Sequence, residues 1–312
     1  MQDSLVIVLN GGFGNQMFQL AKAIELSDSF NVSINTTIGV TPKTNSGVPS
    51  IFDYFLPNSI SVDQTPVNLV NQKIIKLLIS TRLRNFRNPL AGSLSQYLHK
   101  ALRWVFLFFS TQWSGVHIAK NISDTRLNVR PGRNLVVGYF QTTKWQDEKR
   151  IHSTMANLRH KKGSSALEEY ERKADLEHPL VLHIRMGDYR NEQSIGMVDE
   201  KYIELALEYA LKKNQFKNIW LFSDEPEEAM ALIPARFLTS VEIMKELENS
   251  PTLTQEVMRL GTGYVLSNST FGWWAAYLAR MEPKVVVVPD PWFKKIDEPL
   301  GLIPIGWTRI PR

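Results

Sequence analysis

The pattern of apolar and polar positions predicts that strands and helices alternate along most of the chain. A short apolar run is expected to form a buried strand, and apolar residues at helical spacing are expected to form one face of a helix. Strands that alternate with helices form parallel sheets covered by helices, so the predicted fold class is α/β. The predicted strands are Leu5–Leu9, Leu135–Phe140, Leu180–Ile184, Asn218–Phe222, Tyr264–Leu266 and Lys284–Val288.

Two of the predicted helices begin at recognisable capping residues. Asp199 is the expected N-cap of a helix over Glu200–Lys213, and Ser250 is the expected N-cap of a helix over Thr252–Leu260. Gly261 is expected to end the second of these helices. The other predicted helices contain Met17–Ile24, Glu225–Leu232 and Phe271–Met281.

Small and polar residues follow five of the predicted strands. In an open α/β sheet, ligands bind at the carboxyl ends of the strands. A chain built only to fold has no need of such residues at every strand end, so the pattern indicates a nucleotide cleft. The segments are Asn10–Gly12, His183–Arg185, Ser223–Asp224, Ser267–Thr270 and Asp290.

Arg185 is the candidate phosphate ligand. It follows the strand Leu180–Ile184, where a planar and permanently charged guanidinium would suit phosphate oxygens. Asp188 lies three residues further along the chain. The alternative interpretation is a structural ion pair between Arg185 and Asp188 at the strand exit.

The loop Gly11–Gln16 is a second candidate site. Gly12 and Gly14 would let the backbone approach a ligand closely, and the following helix would offer free N–H groups. The loop is not a dinucleotide fingerprint, because Met17 stands at the third glycine position, and it lacks the Gly-Lys-Ser/Thr of a P-loop. A tight turn without a ligand is the alternative.

Two further strand ends carry candidate ligand contacts. Ser269 and Thr270 can cap a helix or bind phosphate oxygens with the same geometry, and Ser267 and Asn268 add donors. Asp224 can accept two hydrogen bonds from the N–H edge of guanine. A metal site is less favoured, because the chain has no Asp-x-Asp and no histidine beside Asp224.

Length and composition limit the kinds of protein that this chain can be. Its 312 residues predict two domains, over 1–155 and 156–312. The absence of cysteine excludes disulfides, thiolate catalysis and cysteine metal sites. No stretch approaches the roughly 20 apolar residues of a membrane-spanning helix. Met1–Ser4 leads directly into a strand, so we expect a cytoplasmic protein without a signal peptide.

A basic insert at about 64–123 accounts for the net positive charge of the chain. It has no acidic residue and contributes +8, which leaves −3 for the rest of a chain with a net charge of +5. Apolar residues between 94 and 109 fall on one helical face. We expect 73–109 to make peripheral contact with an anionic membrane, at the inner face of the cytoplasmic membrane. A buried helix with a solvated basic rim is the alternative.

Five sequence motifs follow one another along the chain: GGFGNQMFQLAKA, GYFQTTKWQ, HIRMGDYR, FSDEP and SNSTFGWWAAYL. They resemble the motifs of the α-1,2-fucosyltransferases of glycosyltransferase family 11, in the same order. The resemblance covers most of the chain and implies a GT-B-like fold of two Rossmann-type domains with a cleft between them. It also implies inverting, metal-independent transfer of L-fucose from GDP-L-fucose, without a cofactor, to O2 of a terminal β-galactoside.

The resemblance also implies roles for individual residues. Arg185 would bind the β-phosphate, and His183 and Asp224 would lie against the guanosine. Ser269, Thr270 and Phe271 would line the pyrophosphate. Asn15 would face the fucose and the acceptor, which in such enzymes includes lipid-linked glycans of bacterial surface polysaccharides.

Inversion requires a group that accepts the proton of the attacking hydroxyl. Asp188 is the candidate by its position, and a structural partnership with Arg185 or Tyr189 is the alternative.

The chain departs from the family pattern at two places. Met186 stands where an H-x-R-R motif has its second arginine, and the helix before SNSTFGWW opens with Thr252 rather than an acidic residue. Both departures concern the acceptor and linkage more than the donor, so fucosyl or other deoxyhexosyl transfer with another linkage is an alternative. Two more distant alternatives are a nucleotide-binding oxidoreductase, disfavoured by the incomplete glycine motif, and a non-catalytic RNA-binding protein that uses the basic insert. We expect no nucleic-acid partner.

Overall fold

The computed structural model describes residues 4–36, 49–67, 72, 116–118, 131–162, 165–245 and 247–312. The chain divides into two compact units. The N-terminal unit comprises Met1–Phe52, Leu56–Thr154 and Pro299–Leu302, and the C-terminal unit comprises Asp53–Phe55, Met155–Glu298 and Ile303–Arg312. Each unit therefore contains a short segment taken from the other half of the sequence, which the sequence pattern does not reveal.

The N-terminal unit is built on a parallel sheet in the order β3-β2-β1-β5-β4. The central strand β1 is buried from Leu5 to Val8, because it has a neighbouring strand on each side. The described elements of this unit are β1 (Ser4–Val8), α1 (Phe13–Leu26), β2 (Asn31–Asn35), β3 (Ile60–Asp63), β4 (Val116–Ile118), β5 (Arg133–Val137) and α2 (Glu148–Ala156).

The C-terminal unit is built on a second parallel sheet, in the order β11-β10-β9-β6-β7-β8. Its described strands are β6 (Leu180–Ile184), β7 (Ile219–Ser223), β8 (Val241–Ile243), β9 (Gly263–Leu266), β10 (Val286–Asp290) and β11 (Thr308–Pro311). Its described helices are α3 (Ser165–Glu177), α4 (Glu200–Lys213), α5 (Pro226–Met230), α6 (Pro251–Met258) and α7 (Thr270–Tyr277).

Both sheets have a topological switch point, where the order of the strands along the chain reverses. In the N-terminal sheet it lies between β1 and β5, and in the C-terminal sheet between β6 and β9. The carboxyl ends of strands at a switch point form the crevice that binds ligands in open α/β folds. The loops that leave these four strands are therefore the places to look for a site.

The predicted α/β class with two Rossmann-type domains is confirmed. Strand β6 and helix α4 have the predicted bounds, and the Asp199 side chain caps α4 by accepting from the N–H of Tyr202. Ser250 likewise caps α6 by accepting from the N–H of Leu253.

Several details of the predicted elements are wrong. Helix α7 ends at Tyr277, not at Met281, and β11 continues the sheet beyond the strand expected to be the last. Gly261 does not adopt the left-handed conformation of a helix stop. A Cβ at Gly261 would lie 2.6 Å from Val181 Cγ2, so close packing on β6 requires the glycine.

The predicted membrane-contact segment 73–109 lies outside the described residues. Among the residues that are described, no helix is long and apolar enough to cross a membrane.

Candidate functional site

Arg185 lies directly beyond β6, at the switch point of the C-terminal sheet. Its Nε and Nη2 donate to Asp188 Oδ1 at 3.1 and 2.8 Å, and its Nη1 lies 3.3 Å from Asp224 Oδ2. The guanidinium also lies 5.9 Å from the centre of the Tyr189 ring, a cation–π contact. About a quarter of the side chain is exposed. Arg185 is thus held in one orientation while it remains open to a ligand.

Asp224, at the end of β7, ties its own strand to the loop after β6. Its Oδ1 accepts a hydrogen bond of 2.9 Å from the N–H of Met186. A Cβ at Gly187 would lie 2.4 Å from Asp224 Oδ2, so only glycine admits the carboxylate here. Each carboxylate oxygen has two lone pairs, and the contacts with Met186 and Arg185 leave some of them for a further donor.

Met186 is a core residue of the C-terminal unit. Its side chain is 5 % exposed and belongs to the apolar cluster that includes Ile184 and Val198. A buried apolar side chain thus stands where the family motif has its second arginine, and it packs in the core. Arg190, the next arginine on the loop, contacts the carboxylates of Glu225 and Glu228.

His183 lies in β6 and packs beneath the start of α7. Ser267 Oγ accepts from the N–H of Arg185 at 3.0 Å and lies 3.3 Å from His183 Nδ1. Either atom can donate in this contact, because the serine oxygen keeps a second lone pair. Burial, and next the charge of Arg185, lower the pKa of His183 to about 3, so the ring is neutral at physiological pH.

The start of helix α7 combines buried residues that hold the loop with residues that a ligand could reach. Asn268 Nδ2 donates to the carbonyls of Ile195 and Gly196, and its Oδ1 is buried without a hydrogen-bond partner. Ser269 caps the helix by accepting from the N–H of Phe271 at 3.3 Å. Thr270 and Phe271 are partly exposed, whereas Ser267 is fully buried.

Tyr189 links the loop after β6 to the loop after β9. Its hydroxyl donates to the Asn268 carbonyl at 3.3 Å, and burial raises the pKa of Tyr189 to about 12. The neutral phenol therefore connects the loop of Arg185 to the start of α7. The sequence pattern predicts for Tyr189 only a partnership with Asp188.

The glycine loop of the N-terminal unit leads into α1. Gly11 has a φ of +79°, and Gly12 is the N-cap, exposed and with no neighbour that a Cβ would meet within 4 Å. Gly14 is buried in the first turn of α1. Asn15 Oδ1 accepts from Gln141 Nε2 at 2.8 Å, which joins the first turn of α1 to the loop after β5. Gln141 lies within the motif GYFQTTKWQ, which by itself indicates no role for this residue.

The structure thus groups the predicted residues into two sets. His183, Arg185, Asp188, Asp224 and Ser267–Phe271 surround the switch point of the C-terminal sheet. Gly12, Gly14 and Asn15 lie at the switch point of the N-terminal sheet. Within the described part of the chain, no three His, Asp or Glu residues are grouped so as to hold a metal ion.

Two Rossmann-type domains, with an oriented cation at a strand end and a capped helix start beside it, define a GT-B-like protein. The family model of glycosyl transferase family 11 matches residues 136–296, just over half of the chain. The chain belongs to glycosyl transferase family 11 and is a glycosyltransferase. This assignment disfavours the RNA-binding and oxidoreductase alternatives.

Two curated proteins of Escherichia coli are similar over nearly their whole length. An α-1,2-colitosyltransferase is 23% identical, over 98% of this chain and 99% of its own length. The O-antigen biosynthesis glycosyltransferase WbnK is 24% identical, over 91% of this chain and 93% of its own length. Among solved structures, the fucosyltransferase NodZ from Bradyrhizobium aligns with a TM-score of 0.46 and 13% identity, over 89% of this chain and 94% of its own.

Proposed function

We propose that this glycosyltransferase transfers L-fucose, or a related deoxyhexose, from its GDP-activated form to a hydroxyl of a glycan. The acceptor hydroxyl in this proposal is O2 of a terminal β-galactoside, and the reaction inverts the anomeric centre without a metal ion. The single observation that carries the proposal is the oriented Arg185 beside the start of α7, at the switch point of the C-terminal sheet.

This arrangement suits the departure of a nucleoside diphosphate. Negative charge grows on the leaving diphosphate as the sugar acquires oxocarbenium character, so preorganised donors stabilise the transition state more than the ground state. Arg185 supplies a guanidinium, and the first turn of α7 supplies backbone N–H groups near Ser269 and Thr270. His183 and Asp224 are proposed to contact the guanosine, and Phe271 the pyrophosphate.

Asp188 has two proposed roles. Its hydrogen bonds to Nε and Nη2 of Arg185 support a positioning role for the carboxylate. Its partly exposed side chain also leaves it the candidate proton acceptor for the attacking hydroxyl. In the N-terminal unit, Asn15 and the backbone at Gly12 and Gly14 are proposed to face the sugars.

The names of the two E. coli relatives support a deoxyhexose donor and a role in O-antigen synthesis. Colitose is the 3-deoxy analogue of fucose, so a transferase for one must accept or reject a single hydroxyl. We propose GDP-L-fucose as the donor. The second candidate function is transfer of another deoxyhexose, or transfer that forms another linkage.

Peripheral membrane contact through 73–109 is proposed as well, and failure of the protein to co-sediment with anionic vesicles at low salt would refute it.

The proposal is tested by incubating the purified protein with lactose and either GDP-fucose or GDP-colitose, and by mass spectrometry and linkage analysis of the product. We expect a fucosylated product linked to O2 of galactose, formed equally well with EDTA present. Arg185→Ala should lower the rate by roughly 10²–10³-fold, the usual effect of removing one transition-state donor. Strict magnesium dependence would contradict the metal-independent mechanism. No transfer to lactose from either donor would contradict the proposed combination of donor and acceptor.

A further inference from the structure

The N-terminal unit holds a buried polar group that the proposed function does not use. Gln141 is 5 % exposed, and its Oε1 is buried without a hydrogen-bond partner. Its Nε2 donates to Asn15 Oδ1 at 2.8 Å. A buried amide oxygen without a donor costs free energy, so its retention calls for an explanation.

The location of Gln141 points to a ligand. The residue follows β5, and Asn15 follows β1, so the pair lies at the carboxyl ends of the two strands that form the switch point of this sheet. This is the place where open α/β sheets bind ligands. Exposed Gly12 lies at the start of the same helix turn, where a Cβ would meet nothing within 4 Å.

The backbone before Gln141 is strained and firmly held. Phe140 is fully buried and has a φ of +51°, in the left-handed region that favours glycine. Thr142 Oγ1 donates to the Leu300 carbonyl at 2.9 Å, and Gln19 Nε2 donates to the Gly138 carbonyl at 2.9 Å. Strain of this kind persists where surrounding contacts impose it, and it is concentrated at functional sites.

The chemistry of the pair favours a neutral ligand rich in hydroxyl groups. Because Asn15 Oδ1 already accepts from Gln141, the amide of Asn15 offers its Nδ2 hydrogens as donors, and Gln141 offers Oε1 as an acceptor. Neither side chain carries charge, in contrast to Arg185 and Asp224 of the C-terminal unit. One donor and one acceptor held side by side match the hydroxyls of a sugar ring.

We infer that Gln141 and Asn15 form a subsite for a sugar ring, in which Gln141 Oε1 accepts a hydrogen bond from a sugar hydroxyl. The inference rests on the proposed function and adds to it a specificity-determining residue. The ring belongs either to the deoxyhexose of the donor or to the galactoside acceptor, and both offer the same hydroxyl chemistry.

The test is the variant Gln141→Met, which keeps the volume of the side chain and removes both polar atoms. Its matched control is Gln19→Met, on the same helix as Asn15. Gln19 is fully buried, and its Oε1 accepts from the N–H of Asn10 while its Nε2 donates to two carbonyls. The measurements are kcat and KM for GDP-fucose and lactose, hydrolysis of GDP-fucose without acceptor, the GDP dissociation constant and the melting temperature.

We expect Gln141→Met to lower kcat/KM by about tenfold or more, as the loss of one well-formed hydrogen bond to substrate predicts. Its GDP affinity and melting temperature should stay close to those of the wild type, whereas Gln19→Met should lower the melting temperature clearly. If the bound ring is the donor sugar, the hydrolysis rate falls as well. If it is the acceptor, KM for lactose rises and hydrolysis is unchanged.

Two results would overturn the inference while the wild type remains active. The first is a kcat/KM of Gln141→Met within twofold of the wild type. The second is a loss of activity that only parallels a fall in melting temperature, as in the control. An inactive wild type would instead refute the proposed function, and the inference with it.

Discussion

Two carboxylates hold the Arg185 side chain in its orientation, and they also cancel its positive charge. Asp188 and Asp224 both contact its guanidinium, so the three side chains together carry a charge of −1. A diphosphate is therefore repelled by two carboxylates and attracted by one cation. Its binding must depend on hydrogen bonds from the N–H groups of Arg185 and of the first turn of α7, and not on a net positive charge around the site.

The role of Asp188 can be decided by Asp188→Asn. Asparagine keeps an oxygen that accepts from Arg185 and removes one of the two negative charges, so we expect GDP to bind at least as tightly as to the wild type. If the carboxylate only positions Arg185 and performs no proton transfer, the transfer rate should stay within about tenfold of the wild type. Titration calorimetry and a pH–rate profile provide the measurements.

The opposite pattern would identify Asp188 as the general base. A general base contributes roughly 10²–10⁴-fold to the rate. A loss of that size in kcat with unchanged GDP affinity, together with disappearance of the acidic limb of the profile, would contradict a positioning role.

At the scale of elements, the contact between β6 and the start of α7 depends on one glycine. A Cβ at Gly272 would lie 2.7 Å from His183 Nδ1 and 3.0 Å from its Cγ. We expect Gly272→Ala to push α7 away from His183 and to weaken GDP binding and thermal stability together. Melting temperature and GDP affinity measure this.

The double variant His183→Ala/Gly272→Ala is the control for this contact. Removal of the His183 ring makes room for the new methyl group. Gly272→Ala should therefore cost less stability in the His183→Ala background than in the wild type. Equal costs in both backgrounds would show that the contact with His183 does not explain the glycine.

The same elements show what the sequence could and could not predict. The apolar run of β6 and the N-cap at Asp199 predict the correct bounds of β6 and α4, because the local sequence pattern and the observed burial agree there. Strand β11 was missed because Thr308–Pro311 is a short edge strand in which only Ile310 is buried, so its sequence resembles that of a loop. Gln141 was missed because an unpaired buried oxygen is a property of packing, which no motif encodes.

The polar character of a residue does not by itself predict that its side chain is exposed. Ser267 and Asn268 were predicted as ligand donors, yet both are buried, and they hold Arg185, His183 and the loop at Ile195 in place. Their contribution to a bound donor would be indirect, through the residues that they position. Thr270 and Phe271 are the partly exposed residues at this helix start.

At the scale of the whole molecule, neutral buried groups of the C-terminal unit set the pH range of stability. The pKa of His183 is lowered to about 3, and burial raises the pKa values of Tyr54, Tyr202 and Tyr189, the last to about 12. The unfolded chain therefore binds a proton at His183 between about pH 6.5 and 3 that the folded chain does not bind. Above about pH 10 it loses tyrosine protons that the folded chain keeps.

Both effects predict that the free energy of unfolding falls on either side of neutrality. We expect it to decrease as the pH is lowered from 7 towards 4, and as it is raised beyond about 10. Urea unfolding at several pH values measures this, and His183→Gln should flatten the acid side by removing the group that titrates. An unchanged acid slope in His183→Gln would contradict the neutral, buried state of this histidine.

The central claim is that Arg185 binds the diphosphate of a GDP-linked sugar, and GDP titration of two arginine variants tests it most directly. Arg185→Ala and Arg190→Ala remove the same charge from the same loop, but Arg190 contacts Glu225 and Glu228. We predict that Arg185→Ala weakens GDP binding by about 10–100-fold, as the loss of a charge-assisted hydrogen bond implies, and that Arg190→Ala changes it by less than about threefold. Equal weakening by both variants, or none by Arg185→Ala, would contradict the account.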